Sequence, residues 1–371
     1  MAMACIGRAA GRLLGSALVL LLFGGLAPAA FAGESIRLKV IGGLAGVAQF
    51  TRLEEPFWRE EIRRLSGGRI TATIQSFDRS GLPGPEMLQL MRLGVVPFGT
   101  ALLAVVAADE PEFNALDLPA LSPDIETLRR NVEAFRARAA SLLRDRYGVT
   151  LLGIYTYPAQ VIYCTRPFRG LDDLAGRRIR TSSVGQSELV SGLGALPVLT
   201  PFSETVKAVT NGVVDCAITG TLSGHEIGLS DVTTHLHGMA IGWGLSFFGA
   251  NSAAWFSLPH EARDVIGRGV ADLEDRIWVA AGQDTLTGFL CNIGTSSCPT
   301  GRRGRMTLVP TAEADRTTRE RLLRDVVLPR WVDRCGPSCV ESWNATLSAV
   351  TGHYLEIDGT ARVHVTITST Q

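Results

Sequence analysis

Lysine is scarce in this chain of 371 residues: Lys39 and Lys207 are the only two, so nearly all of the 36 basic side chains are arginine. A single arginine is therefore weak evidence of function by itself. Excess charge of either sign is missing too, because 36 acidic residues oppose the basic ones. A chain without a basic surplus lacks the electrostatic footprint of nucleic-acid binding. Catalytic signatures are equally hard to find. His225-Glu226 lacks the second histidine of a zincin helix, and no G-x-S-x-G, P-loop or cysteine–histidine nucleophile pattern occurs. Gly42, Gly43 and Gly46 follow the first strand-like segment without the G-x-G-x-x-G spacing of a dinucleotide site. His235 and His237 share a strand face, with no acidic or sulfur neighbour nearby in sequence, and read as solvent-facing polar positions rather than metal ligands.

Long apolar runs are confined to the start of the chain. Arg8 and Arg12 precede LLGSALVLLLFGGLA, and Ala30-Phe31-Ala32 follows as a cleavage site, so residues 1–32 read as a secretory signal. An uncleaved anchor is the alternative, since the run approaches the roughly 20 residues that span a bilayer. Gly24-Gly25 and Pro28 beside the A-x-A site favour cleavage and an exported, soluble protein. The remaining length suggests two domains or one large one.

Cysteine is sparse, seven in all, and Cys5 leaves with the signal. In an exported protein the close pairs Cys291/Cys298 and Cys335/Cys339 read as disulfides, although four cysteines allow three pairings. A zinc site fits their spacing poorly. Cys164 and Cys216 lie in apolar strand-like runs and read as buried free thiols.

What is present is an alternation of strand-like and helix-like segments. IRLKVIGGL and RITATIQSF flank a helix ended by Gly67-Gly68; an amphipathic helix over 124–147 stops at Gly148 before VTLLGIY. Beyond Tyr157-Pro158 the order restarts, and SLPHEARDVIGRGVADLEDRIWVAAGQ is a long helix. This is an α/β order with mostly parallel strands expected. Within it GRRIRTSS, residues 176–183, stands out: Arg177, Arg178 and Arg180 crowd a short strand, and alternation puts Arg178 and Arg180 on the face opposite Ile179.

That stretch overlaps the end of LDDLAGRRIRT, which is followed by LGALPVLTPFSETVKAVTNGVVDCAI. Together they resemble the signature of periplasmic substrate-binding proteins of TRAP (tripartite ATP-independent periplasmic) transporters, the dicarboxylate-binding type. LSGGRITATI, NSAAWFSLPHEARDVI and VVLPRWVDRCG extend the resemblance over nearly the whole mature chain. It implies an α/β fold of two periplasmic-binding-protein-like domains, with domain-crossing strands and a long helix spanning both. The domains would be residues 33–158 plus 243–285 and residues 159–242 plus 286–371, the latter with C-terminal helices. The implied function is capture of a small organic acid in the interdomain cleft and delivery to membrane subunits of a transporter, without cofactor, metal or chemistry on the ligand. A ligand-presenting sensor or an exported enzyme on the same scaffold are the alternatives. The protein is expected in the periplasm, as a monomer.

Residue by residue, Arg180 takes the place of the family's carboxylate-binding arginine, and Phe202 that of a ring packed on the ligand. Thr219 stands where an asparagine usually helps hold the carboxylate, and Gln160 where some sialic-acid binders carry a second arginine. One clamp arginine points to a monocarboxylate rather than a multiply charged acid. Tyr155, with Tyr157, and Trp243, between two glycines, are expected to complete the pocket, while Phe247 and Phe248 read as core. Gly42, Gly43, Gly99 and Thr100 are expected to face the cleft from strand ends.

Overall fold

The structure is a computed structural model that describes residues 35–357 and 363–367; the signal segment expected at 1–32 lies outside them. Its strands are β1 (Ile36–Gly42), β2 (Ile70–Ser76), β3 (Phe98–Leu102), β4 (Val149–Thr156), β5 (Gln160–Cys164), β6 (Arg178–Thr181), β7 (Leu196–Leu199), β8 (Cys216–Gly220), β9 (His235–His237), β10 (Leu245–Asn251), β11 (Thr307–Val309), β12 (His353–Ile357) and β13 (Val363–Ile367). They form a first sheet in the order β2-β1-β3-β10-β4, a second in the order β11-β9-β5-β8-β6-β7, and a terminal hairpin, β12-β13.

The predicted helix boundaries have visible physical causes. Ile125–Tyr147 starts where the Asp124 carboxylate accepts a hydrogen bond from Thr127 N (2.7 Å) and stops at Gly148, whose φ of 57° is left-handed. Pairing is more mixed than the expected parallel pattern. β1 pairs in parallel with β2 and β3, and β6 with β7 and β8, whereas β10 runs antiparallel to β3 and β4, and β5 antiparallel to β8 and β9. The antiparallel strands adjoin the two crossings between sheets, where the chain enters the second sheet opposed to β8 and re-enters the first opposed to β3.

Those crossings are Tyr157-Pro158-Ala159, from β4 to β5, and Gly242-Trp243-Gly244, from β9 to β10. They hydrogen-bond to each other: Tyr157 N donates to Gly244 O (3.1 Å) and Gln160 N to Gly242 O (2.8 Å). Asp117 holds the return strand by accepting from Trp243 N (3.2 Å) and Gly244 N (2.6 Å), and burial pushes its carboxyl up to about 7.

A third element, the helix His260–Asn292, joins the sheets along their length. Trp278 Nε1 donates to Ile154 O of β4 (2.9 Å), and Gly288 sits so close to the backbone of Thr221 and Leu222, just after β8, that a Cβ would approach within 2.3 Å. Asn292 secures the far end through Tyr163 Oη (3.1 Å) and Thr221 O (2.9 Å). Among the described residues, no helix is long and apolar enough to cross a membrane.

Among the described residues three disulfides are present: Cys291–Cys298 and Cys335–Cys339, as expected, and Cys164–Cys216, which corrects the free-thiol expectation. Cys164 and Cys216 are directly opposed across the antiparallel β5/β8 pair, with Cα atoms 4.1 Å apart, so strand register brings two distant cysteines within bonding reach. His237 is a second correction. It is fully buried, its Nε2 lies 3.3 Å from Asp315 Oδ2, and its Nδ1 accepts from Met239 N. Asp315 also accepts from Leu171 N (2.8 Å), so the pair ties the C-terminal helices to the turn before β6. Phe247 and Phe248 are core residues, as their apolar context suggests; Phe248 packs between Trp58 and Tyr155.

Candidate ligand cleft

The two sheets bring the carboxyl ends of their parallel strands to one cavity of about 510 Å³. Its first wall comes from loops after β1, β2 and β3, among them Leu44, Val47, Asp78, Leu102 and Val105. Its second comes from the ends of β6, β7 and β8, with Arg180, Ser182, Leu199, Phe202, Thr219 and Ser223; Tyr157, Gln160 and Gly244 of the crossings close the back. Open α/β sheets bind ligands at such carboxyl ends because strands stop there and loops are free to carry function.

The three crowded arginines have different fates. Arg177 spends its donors on the carbonyls of Asp173, Arg166 and Pro167, and Arg178 forms a two-pronged pair with Asp215 (Nε 3.1 Å, Nη2 3.0 Å). Arg180 is 2 % exposed and lines the cavity. Its Nε donates to Thr200 O (2.9 Å) and its Nη1 to Ile218 O (2.8 Å), and no ion pair reaches it among the described residues. Two neutral carbonyls fix the direction of the guanidinium without neutralising it. Burial lowers its pKa to about 10, still well above neutrality, so the group remains a cation with an unmet demand for an anion.

Around Arg180 the second wall is polar. Thr219 is 2 % exposed, on β8 two residues after Ala217, the register partner of Arg180. Gln160 accepts a hydrogen bond from Gln186, whose own carbonyl oxygen accepts from Ser182 N (2.9 Å) and Ser182 Oγ (3.1 Å). Ser183 caps the helix Val184–Gly192 by accepting from Gln186 N (3.1 Å). Ser182, Ser183 and Val184 all line the cavity, so the positive end of this helix lies on the same side as the arginine. Across the cleft, Glu226 reaches from beyond β8 to accept from Ala48 N (3.0 Å), next to Val47 of the first wall; burial pushes its carboxyl up to about 7.

The structure therefore brings Arg180, Phe202, Thr219 and Gln160 to one cavity and leaves Tyr155 and Trp243, with four residues expected at strand ends, outside it. Tyr155 is fully buried in the first sheet's core, its ring stacked on Phe248 at 5.8 Å, and Tyr157 lines the cavity instead. Trp243 donates from Nε1 to Ser122 O (3.1 Å) and lines a separate groove behind the crossings, with Trp278 and Gly282. Its flanking glycines serve the crossing: Gly244 has φ 85° and gives its N–H to Asp117. Gly42, Gly43 and Gly99 are covered by Phe50, Glu54 and Val96, and Thr100 is buried, so the first wall begins a few residues further along each loop. Leu102 and Val105, missed in the sequence, are apolar residues in an apolar run and carry no distinguishing pattern.

Comparison with known proteins agrees with this geometry. Residues 49–285, more than half of the chain, match the family described as bacterial extracellular solute-binding protein, family 7. A curated relative, the C4-dicarboxylate-binding periplasmic protein DctP of Rhodobacter capsulatus, is 25 % identical over 197 residues; the match spans 51 % of this chain and 58 % of that one. Among solved structures, a Bordetella pertussis extracytoplasmic solute receptor binding pyroglutamic acid superposes with a TM-score of 0.73 at 22 % identity, covering 84 % of this chain and 99 % of that one. A Desulfovibrio salexigens TRAP periplasmic solute-binding protein with bound orotic acid gives 0.71 at 17 % identity, covering 83 % and 96 %. The fold is that of two-domain solute-binding proteins, and by its family match the chain belongs to bacterial extracellular solute-binding protein family 7.

Proposed function

We propose that the protein captures an organic acid by its carboxylate in this cavity and delivers it to the membrane subunits of a TRAP transporter, acting in the periplasm after loss of its leader and doing no chemistry on the ligand. The observation that carries the reading is Arg180, a buried cation with two neutral carbonyls to orient it and no acidic partner among the described residues. A buried charge left unpaired is costly, and a ligand carboxylate supplies the missing counter-charge through two-pronged, charge-assisted bonds. In this reading Thr219 and Gln160 donate to the same carboxylate, and Phe202 packs on the ligand body. Residues 33–158 plus 243–285 and residues 159–242 plus 286–371 act as two lobes that close about the paired crossings, and the transporter recognises the closed form. Relatives of this fold that hold pyroglutamate, orotate or succinate support an acid as ligand.

Native mass spectrometry of protein purified without denaturation should reveal a co-purified acid, and that acid should raise the melting temperature. Arg180→Ala should abolish the rise. Unchanged affinity in this variant removes Arg180 from the role.

A further inference from the structure

We infer that the ligand of this cavity carries a single carboxylate on an apolar body larger than a four-carbon chain, and that Asp78 works against a second carboxylate. The inference rests on the carboxylate reading of Arg180. Among the described residues that line the cavity, Arg180 is the only cation and Asp78 the only acid. The two belong to opposite walls. Asp78 follows β2, is exposed, and has its carboxylate held in place by Ala45 N, which donates to Oδ1 (2.8 Å). A diacid anchored on Arg180 would direct its second carboxylate toward a wall whose one acidic side chain is itself a carboxylate.

The rest of that wall is apolar. Leu44, Val47, Leu102 and Val105 come from the first wall, and Leu199 and Phe202 from the rim of the second; the neutral polar groups Gln160, Ser182, Thr219 and Ser223 lie with Arg180. A carboxylate set among the leucines and valines would lose its water with no donor to replace it. Leu199, at the end of edge strand β7, leaves 61 % of its surface exposed, the kind of apolar rim that a ligand or a closing lobe covers. The volume of about 510 Å³ lies within the range, about 300–1,000 Å³, that takes drug-sized molecules. A four-carbon acid would leave much of the apolar wall wet.

The test is calorimetric titration of the full-length mature protein, stripped of bound acid, with butyrate, hexanoate and octanoate, and with succinate as the diacid matched to butyrate. The expected result is that butyrate binds more tightly than succinate and that affinity rises about fourfold per added methylene. Leu199→Asn, at an exposed position that the fold tolerates, should lower octanoate affinity severalfold more than butyrate affinity. Asp78→Asn, which keeps the acceptor for Ala45 N, should narrow the gap between succinate and butyrate. Succinate binding more tightly than butyrate, or a flat chain-length series, overturns the inference while Arg180-dependent binding leaves the carboxylate reading standing. Binding of none of these acids, or binding unaffected by Arg180→Ala, overturns both.

Discussion

The two walls of the cleft are made of different materials. The second is built on strand ends tied by hydrogen bonds through Gln186, by a helix cap at Ser183 and by the Cys164–Cys216 bridge between β5 and β8. The first is a set of loops whose side chains toward the cavity are mostly aliphatic, and no disulfide lies in it among the described residues. A charged clamp needs its geometry held to fractions of an ångström, because charge-assisted hydrogen bonds are directional. An apolar surface gains from area and tolerates movement. Rigidity therefore sits where orientation is decided, and adaptability where the ligand body is covered.

The largest way to break this contrast is to cut the bridge behind the clamp. Cys164→Ala with Cys216→Ala opens a loop of 52 residues, for which chain entropy gives a loss of about 4 kcal/mol. Urea denaturation should show that loss, and ligand affinity should fall with it, since β8 also carries Ile218 O and Thr219. A stability change below about 1 kcal/mol would mean that the second wall owes its order to packing alone.

Replacing the clamp without removing its charge is the next test. Arg180→Lys keeps a cation but loses the planar fork that reaches Thr200 O and Ile218 O while facing the cavity. Binding should weaken by about 2–3 kcal/mol, the worth of one hydrogen bond to a charged group. Affinity within threefold of the unaltered protein would show that net charge suffices and that the rigid wall has no orienting role.

Glu226 tests where the walls meet. Burial raises its carboxyl pKa above the ordinary 4.5, with Asp284 adding to the rise and Arg52 opposing it. A raised pKa means that the folded protein binds this proton more tightly than the unfolded chain does. The stabilisation is thus fully present below about 4.5 and is lost as pH rises through about 7. Glu226→Gln, neutral throughout, should be more stable than the parent at pH 8 by about 1–2 kcal/mol after solvent screening is allowed for, and equal to it near pH 4. Denaturation at the two pH values measures the difference. Asp117 and Glu54, whose carboxyls are also raised to about 7, titrate in both proteins and cancel.

The same contrast explains what could be read before the structure. Arg180, Phe202 and Thr219 lie in one motif-bearing stretch of about 40 residues, from β6 through the helix Val184–Gly192 and β7 to β8, so local order carried the site. The apolar wall had no such trace, because Leu44, Leu102 and Val105 resemble any core residues until the fold leaves them facing a cavity. The Cys164–Cys216 bridge depends on the register of strands far apart in the chain, and the His237–Asp315 pair joins the end of β9 to the helix Glu313–Leu322, far along the chain. Trp243 misled for a related reason: glycines that permit close approach of a ligand also permit a chain to cross between sheets, and here Asp117 collects the N–H groups of Trp243 and Gly244.

The smallest effect is the most discriminating. Thr219→Val keeps shape and burial while deleting one hydroxyl, which makes no hydrogen bond to another described residue. If that hydroxyl donates to the ligand carboxylate, affinity should fall by about 1 kcal/mol, roughly fivefold, with ligand-free stability unchanged. Titration calorimetry resolves a change of that size. An unchanged Kd beside a severe Arg180→Lys defect would leave the carboxylate on the arginine and the helix end at Ser183 alone. Orientation would then come from Thr200 O and Ile218 O acting on Arg180, and the second wall would work by holding one side chain still rather than by surrounding the ligand with donors.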